Sequence, residues 1–157
     1  MGGGAILDLG CYPISLSTKI ASLNNFIYFE KIDLIEKKVN IGPTDVDIDS
    51  YVTLKFDNGF ISRVGASFSK DLGRKTEIKG SRGELIIEDA WTANPSRIIL
   101  KKNGNEIVID IMSKKNIYSY EIDSISEFIL NKNIKKNTGL SIDETIINMK
   151  IIDSWKN

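Results

Sequence analysis

The sequence predicts an α+β fold: a mostly antiparallel, open-faced β-sheet with helices packed on one face. Three observations predict it. The opening residues repeat apolar side chains at helical spacing, short alternating segments with tight turns fill the middle, and two amphipathic segments close the chain. Residues 1–157 are read as a single domain.

The first helix is predicted over Gly4 to Leu23. Ala5, Ile6, Leu7, Leu9, Cys11, Ile14 and Leu16 make it apolar nearly all round, the pattern of a buried helix. One line is polar: Asp8, Tyr12, Ser15 and Lys19, spaced four, three and four apart, share a face. Pro13 cannot donate to the Leu9 carbonyl, so a bend is expected there.

The period then changes. Phe26 to Ile35 reads as a strand, and Gly42-Pro43 as a loop. Ser50 to Phe56 places Val52, Leu54 and Phe56 on one face, with Tyr51, Thr53 and Lys55 on the other. Asp57-Asn58-Gly59 is a hairpin turn, since Asn and Gly tolerate positive φ. The return strand, Phe60 to Phe68, aligns Val64, Ala66 and Phe68. Strands are predicted next at Arg74–Lys79, Glu84–Ile87, Arg97–Lys101 and Glu106–Ile111, turned by Gly80-Ser81-Arg82-Gly83 and Asn103-Gly104.

A helix over Tyr118 to Asn131 carries Ile122, Ile125, Phe128 and Ile129 as its stripe. Ser141 to Trp155 opens on a capping box, Ser141 with Glu144, and Ile142, Ile146, Met149 and Ile152 are its expected buried side. Tyr51, Ile86, Ile99 and Val108 fall on the open sheet face. Two readings stay open for them: a dimer contact with a second copy of the chain, or scattered surface hydrophobes.

Composition excludes several classes. Twenty-one basic residues balance twenty-one acidic ones, so the net charge is zero, which argues against nucleic-acid and membrane-surface partners. No apolar run is long enough to span a bilayer, and Met1-Gly2-Gly3-Gly4 lacks a basic leader, so a cytoplasmic location is expected. The absence of histidine excludes Ser–His and Cys–His catalysis within the chain. Cys11, the single cysteine, is read as a small core residue. Asp45, Asp47 and Asp49 lack the glycine and terminal glutamate of a calcium loop, and a strand edge with carboxylates in water is expected instead. Gly2 and Gly4 form only part of a dinucleotide fingerprint, with no preceding strand, so no metal and no cofactor site is assigned to them. The glycines are read as an entry into the helix close to a neighbouring domain, and Gly10 as room for a ring or backbone. Trp91 and Trp155 are read as packing residues, Trp91 with a sugar-stacking alternative.

The informative stretch is Gly2-Gly3-Gly4-Ala5-Ile6-Leu7-Asp8-Leu9-Gly10-Cys11-Tyr12-Pro13. It resembles the Gfo/Idh/MocA family of glucose–fructose oxidoreductases, inositol dehydrogenases and rhizopine-catabolism oxidoreductases. There a glycine run leads into Asp-x-Gly-x-His or Asp-x-Gly-x-Tyr at the start of the C-terminal domain. Phe56-Asp57-Asn58-Gly59-Phe60, Glu77 to Leu85 and the helix from Ser141 are similar to later family segments. The resemblance implies a C-terminal domain of an NAD- or NADP-dependent oxidoreductase acting on a sugar, polyol or diol. The N-terminal Rossmann domain that would bind most of the cofactor is not in these residues, so this chain is expected to be inactive and cofactor-free by itself. The resemblance makes Tyr12 the catalytic candidate and Asp8 and Tyr12 the substrate-binding pair, with a lysine of the other domain taking the proton as hydride leaves the substrate. A stand-alone interaction module with the same fold is the alternative reading.

The chemistry of the pair agrees. Residues four apart on a helix reach the same side. A phenol can donate to or accept from a substrate hydroxyl while a carboxylate fixes a second one. A free tyrosine titrates near about 10, so proton transfer at neutral pH needs a nearby cation.

Overall fold

The structure, a computed structural model, describes residues 3–23, 31–92, 94–131 and 139–157. It is α+β, with two antiparallel sheets and four helices. The chain forms two compact units: Met1–Leu72 with Leu140–Asn157, and Gly73–Gly139.

The first unit contains α1 (Ala5–Asp8), α2 (Cys11–Ser22), strands β1 (Ile32–Ile41), β2 (Asp47–Phe56) and β3 (Ile61–Ser67), and the last helix. The strands form one antiparallel sheet in the order β1-β2-β3. Opposed pairs such as Val52 with Val64 and Ser50 with Ala66 put the buried residues on one face. Val52, Leu54, Phe56 and Ala66 pack there with Ala5, Ile6, Ile14, Ala21, Ile151, Ile152 and Trp155. The hairpin turn falls at Asn58-Gly59 as expected: Gly59 has φ 83°, and the Phe56 N–H meets the Phe60 carbonyl at 2.9 Å. Phe68 departs from its expected place. It lies beyond β3 and is 54% exposed, its N–H bonded to the Ile48 carbonyl at the start of a turn. The expected strand over Phe26 to Ile35 overlaps residues outside the described ones, and β1 starts at Ile32.

The predicted single opening helix is two. The break lies at Leu9–Gly10, not at Pro13. Pro13 is the third residue of α2, inside the first turn, where a missing N–H breaks no intrahelical bond. At the break the Gly10 N–H is shared between the Ala5 carbonyl (3.2 Å) and the Ile6 carbonyl (3.0 Å). Gly10 is there because nothing larger fits: a Cβ would lie 2.5 Å from the Ile6 carbonyl oxygen and 2.8 Å from the Trp155 ring. The ring and backbone expected to approach Gly10 are therefore Trp155 and Ile6.

The last helix (Ile142–Lys156) is labelled α4, and the capping box at Ser141 is complete. Its buried face differs from the predicted one. Glu144, Asn148, Ile151, Ile152 and Trp155 are buried, whereas Ile142, Ile146 and Met149 are exposed. Polar pairing sets the rotation: the Thr18 hydroxyl donates to Asn148 Oδ1 (2.8 Å), Lys19 Nζ to Glu144 Oε1 (3.1 Å), and Trp155 Nε1 to Ser50 Oγ (2.7 Å). A stripe chosen by hydrophobicity misses a helix whose buried side is half polar.

The second unit holds β4 (Thr76–Gly80), β5 (Gly83–Ile87), β6 (Ser96–Lys102), β7 (Asn105–Ile111) and α3 (Ile117–Asn131). Its strands make a second antiparallel sheet in chain order. Asn103 (φ 53°) and Gly104 (φ 76°) form the β6–β7 turn with the two positive φ values a tight hairpin needs. Ile86, Ile99 and Val108 stand side by side in one cross-strand row. Tyr51 is not with them, because it belongs to the three-stranded sheet. The α3 stripe is largely uncovered: Ile122, Ile125 and Ile129 are exposed and Phe128 is half-buried. Every residue of β7 is exposed as well.

The Gly10 contact gives a stability prediction. Gly10→Ala should lower the urea-unfolding free energy by about 1–3 kcal/mol through overpacking against Trp155 and Ile6. An unchanged midpoint would mean that the ring moves aside freely.

Candidate functional site

The predicted pair sits where the two opening helices meet. Asp8 is the last residue of α1 and Tyr12 the second of α2. Leu9 (φ −109°, ψ −28°) and Gly10 (φ −66°, ψ −24°) keep right-handed helical backbone between them. The interruption therefore shifts the helix without reversing it, and the two residues stay about one turn apart. Both are exposed, Tyr12 at 59%. They stand beside a core in which Ala5, Ile6 and Ile14 have no exposure at all.

The rest of the polar line divides. Lys19 pairs with Glu144, whose carboxyl is held below its ordinary value first by the Ser141 N–H and then by Lys19. It is structural, as is its neighbour Thr18, which pairs with Asn148. Ser17 and Ser62 hydroxyls meet at 2.6 Å, so polar contacts extend along the buried side of α2. Burial pushes the Cys11 thiol up, away from the reactive thiolate form. Trp155 is fully buried, and Trp91 is half-buried in a loop whose backbone is tied by Asp89 to the N–H groups of residues 91 and 92.

The aspartates of the β2 entrance overturn an expectation. Asp45 is exposed, but Asp47 and Asp49 are only 4% and 5% exposed, not lying along a wet strand edge. Asp47 Oδ2 accepts the Ile6 N–H at 2.7 Å, at the start of α1. Gly4 enters that turn at φ 100°, and a Cβ on it would lie 2.0 Å from Asp47 Oδ1. Asp49 accepts from the hydroxyl of Ser67, its cross-strand partner, from Ser69 Oγ at 2.7 Å and from Lys70 Nζ at 2.9 Å. Both carboxylates are satisfied by donors of this chain. The sequence signal for Asp47 was the glycine run itself, which needs some group to fill the space that a side chain would have taken.

Among the described residues, no group of three or more His, Cys, Asp or Glu is arranged to hold a metal ion. No helix among them is long and apolar enough to cross a membrane. An open depression lies in the second unit, between the hairpin ends around Lys79, Glu84, Lys101 and Glu106, and it contains neither Asp8 nor Tyr12.

Comparison with known proteins places this geometry in context. The model of the GFO/IDH/MocA C-terminal domain matches residues 1–86, which include the Asp8–Tyr12 segment and the first sheet. A trans-1,2-dihydrobenzene-1,2-diol dehydrogenase of Xenopus tropicalis is 25% identical over 162 residues, covering 98% of this chain and 46% of that protein. A dTDP-3,4-didehydro-2,6-dideoxy-alpha-D-glucose 3-reductase of Saccharopolyspora spinosa is 27% identical over 92 residues, covering 59% of this chain and 26% of that protein. The chain thus spans about half the length of the diol dehydrogenase. Among solved structures, an aldose-aldose oxidoreductase of Caulobacter crescentus complexed with glycerol aligns with TM-score 0.75 at 16% identity, over 98% of this chain and 44% of its own. A 3-ketoreductase of Actinomadura kijaniata in complex with NADP aligns with TM-score 0.73 at 15% identity, over 97% and 46%. These structures share the fold.

Asp49 provides a pH prediction. Its hydrogen bonds from Ser67, Ser69 and Lys70 hold its carboxyl well below the ordinary carboxylate range. A depressed folded-state value stabilises the protein above the unfolded-state value of about 4, and that stabilisation is lost as pH falls towards the folded-state value. Urea midpoints taken from pH 6 down to about pH 3 should decline, and Asp49→Asn should flatten the decline. An equal decline in the variant would remove Asp49 as its cause.

Proposed function

The chain belongs to the GFO/IDH/MocA C-terminal domain family, and from that we propose that it is the substrate-side domain of an NAD- or NADP-dependent oxidoreductase. The substrate is a sugar, polyol or diol oxidised or reduced at a CH–OH group. The observation that carries the reading is the exposed pair Asp8 and Tyr12, one turn apart at the edge of a buried helical entry. The names of the relatives support the substrate class, since one is a diol dehydrogenase and another a deoxysugar reductase.

The glycine run at Gly4 does not fit the cofactor's phosphates. Gly4, the natural place for a phosphate to approach, already faces the Asp47 carboxylate, which would repel one. The cofactor is therefore assigned mainly to a Rossmann domain outside these residues. When bound, the nicotinamide would supply the hydride acceptor or donor. Within this chain, Asp8 accepts a hydrogen bond from one substrate hydroxyl and orients the ring. Tyr12 bonds the reacting hydroxyl and assists its proton transfer to or from a lysine of the other domain. The exposure of both side chains leaves their polar atoms available to a ligand, which a core position would not.

In the two-domain protein, Tyr12→Phe should cut turnover by about 100-fold or more while leaving NAD(P) affinity unchanged. In the same assay this chain alone should show no dehydrogenase activity. An unaltered rate in the variant would reduce the phenol to packing, and turnover by the isolated chain would refute the division of labour.

The apolar row of half-buried Ile86 and Ile99 with exposed Val108 supports homo-oligomerisation through that sheet face. The same row is what a non-catalytic interaction module would use. Light scattering at high concentration should report a dimer. A monomer would remove this surface as a self-association site.

A further inference from the structure

We infer that Asp47 is a positioning residue for Asp8 and Tyr12: its buried carboxylate caps the short helix that carries Asp8 and leads into the one that carries Tyr12. The inference rests on the reading of that pair given above. α1 has only four residues, too few to hold helical geometry unaided. Its N-cap is Gly4, which has no side chain to receive the free N–H groups of the first turn. An ordinary N-cap side chain accepts from the second or third helical residue. Here Asp47 does so from β2, with Oδ2 2.7 Å from the N–H of Ile6, the second residue of α1. The cap is thus supplied from 41 positions along the chain.

The other carboxylate oxygen packs against Gly4. It occupies the space a Cβ would need, 2.0 Å away, and the Gly4 carbonyl in turn accepts the N–H of Asp8 at 3.2 Å. Displacing Asp47 therefore moves the residue on which the Asp8 amide is anchored. At the other end of α1, Gly10 bonds back to Ala5 and Ile6 beneath the Trp155 ring. Asp8 is held between a carboxylate clamp and a ring clamp, and Tyr12 begins its helix from the second. A carboxylate at the positive end of the helix also gains from the peptide dipoles.

The test compares Asp47→Ala, Asp47→Asn and Gly4→Ala in the two-domain protein, beside amide hydrogen exchange of this chain. Asn keeps an oxygen for the Ile6 N–H, so Asp47→Asn should retain most of the turnover and the slow exchange of the Ile6 amide. Asp47→Ala should speed that exchange and lower kcat by about ten- to a hundred-fold, with KM for NAD(P) unchanged. Gly4→Ala should reproduce the loss, both by pushing the same carboxylate away and by straining a backbone held at φ 100°. Wild-type kcat in a folded Asp47→Ala, or in Gly4→Ala with a rapidly exchanging Ile6 amide, would overturn the inference. Should Asp47→Ala not fold, wild-type kcat in Gly4→Ala with a rapidly exchanging Ile6 amide still overturns the inference. A fast Tyr12→Phe would instead defeat the reading of the pair. A slow Tyr12→Phe with normal Asp47→Ala and Gly4→Ala would defeat only the positioning role.

Discussion

The first unit depends on one buried contact, the indole of Trp155 lying on Gly10. The ring has no exposure, and its Nε1 donates to Ser50 Oγ, which donates onward to the Lys38 carbonyl at 2.9 Å. One side chain at the end of the sequence thereby reaches β2, β1 and the joint between α1 and α2. Replacing the ring with a smaller group would leave a cavity and take from the buried Ser50 hydroxyl the donor it accepts from, two separate costs. The break in the opening helix is a consequence of this packing. Gly10 lets the ring approach, and the backbone around it adapts by sharing its N–H between two carbonyls.

Polar contacts then fix what the apolar core leaves free. Apolar packing alone would allow α4 to rotate and bury Ile142, Ile146 and Met149. The pairs Thr18–Asn148 and Lys19–Glu144 select a different face, because a buried amide or carboxylate without a partner costs more than an exposed isoleucine. The aspartates at the start of β2 do comparable work. Asp47 holds the entry to α1, and Asp49 gathers the turn after β3 through Ser67, Ser69 and Lys70.

Much of this was legible in the residues, for identifiable reasons. The α+β class, the hairpin at Asn58-Gly59, the capping box at Ser141 and the alternation of Val52, Leu54 and Phe56 all arise from local chemistry. The location of the helix break was not legible, because Pro13 is the obvious disruptor and the reason for Gly10 lies 145 residues away in Trp155. The burial of Asp47 and Asp49 was hidden for the same reason, since their partners come from α1 and from the turn after β3. The exposure of the α3 stripe was not legible either, because amphipathic spacing carries no indication of what covers it. Asp8 and Tyr12 stood out only because a family motif frames them. Their spacing alone describes many surface helices.

In the proposed function these two side chains face the reacting carbon of a substrate beside a nucleotide-binding domain. A crystal structure of the two-domain protein with NAD(P) and a diol or sugar tests it most directly. The account predicts the Tyr12 hydroxyl within hydrogen-bonding distance of the substrate hydroxyl next to the nicotinamide, and the Asp8 carboxylate on a neighbouring hydroxyl. A ligand bound elsewhere, with both side chains still in open solvent, would contradict it.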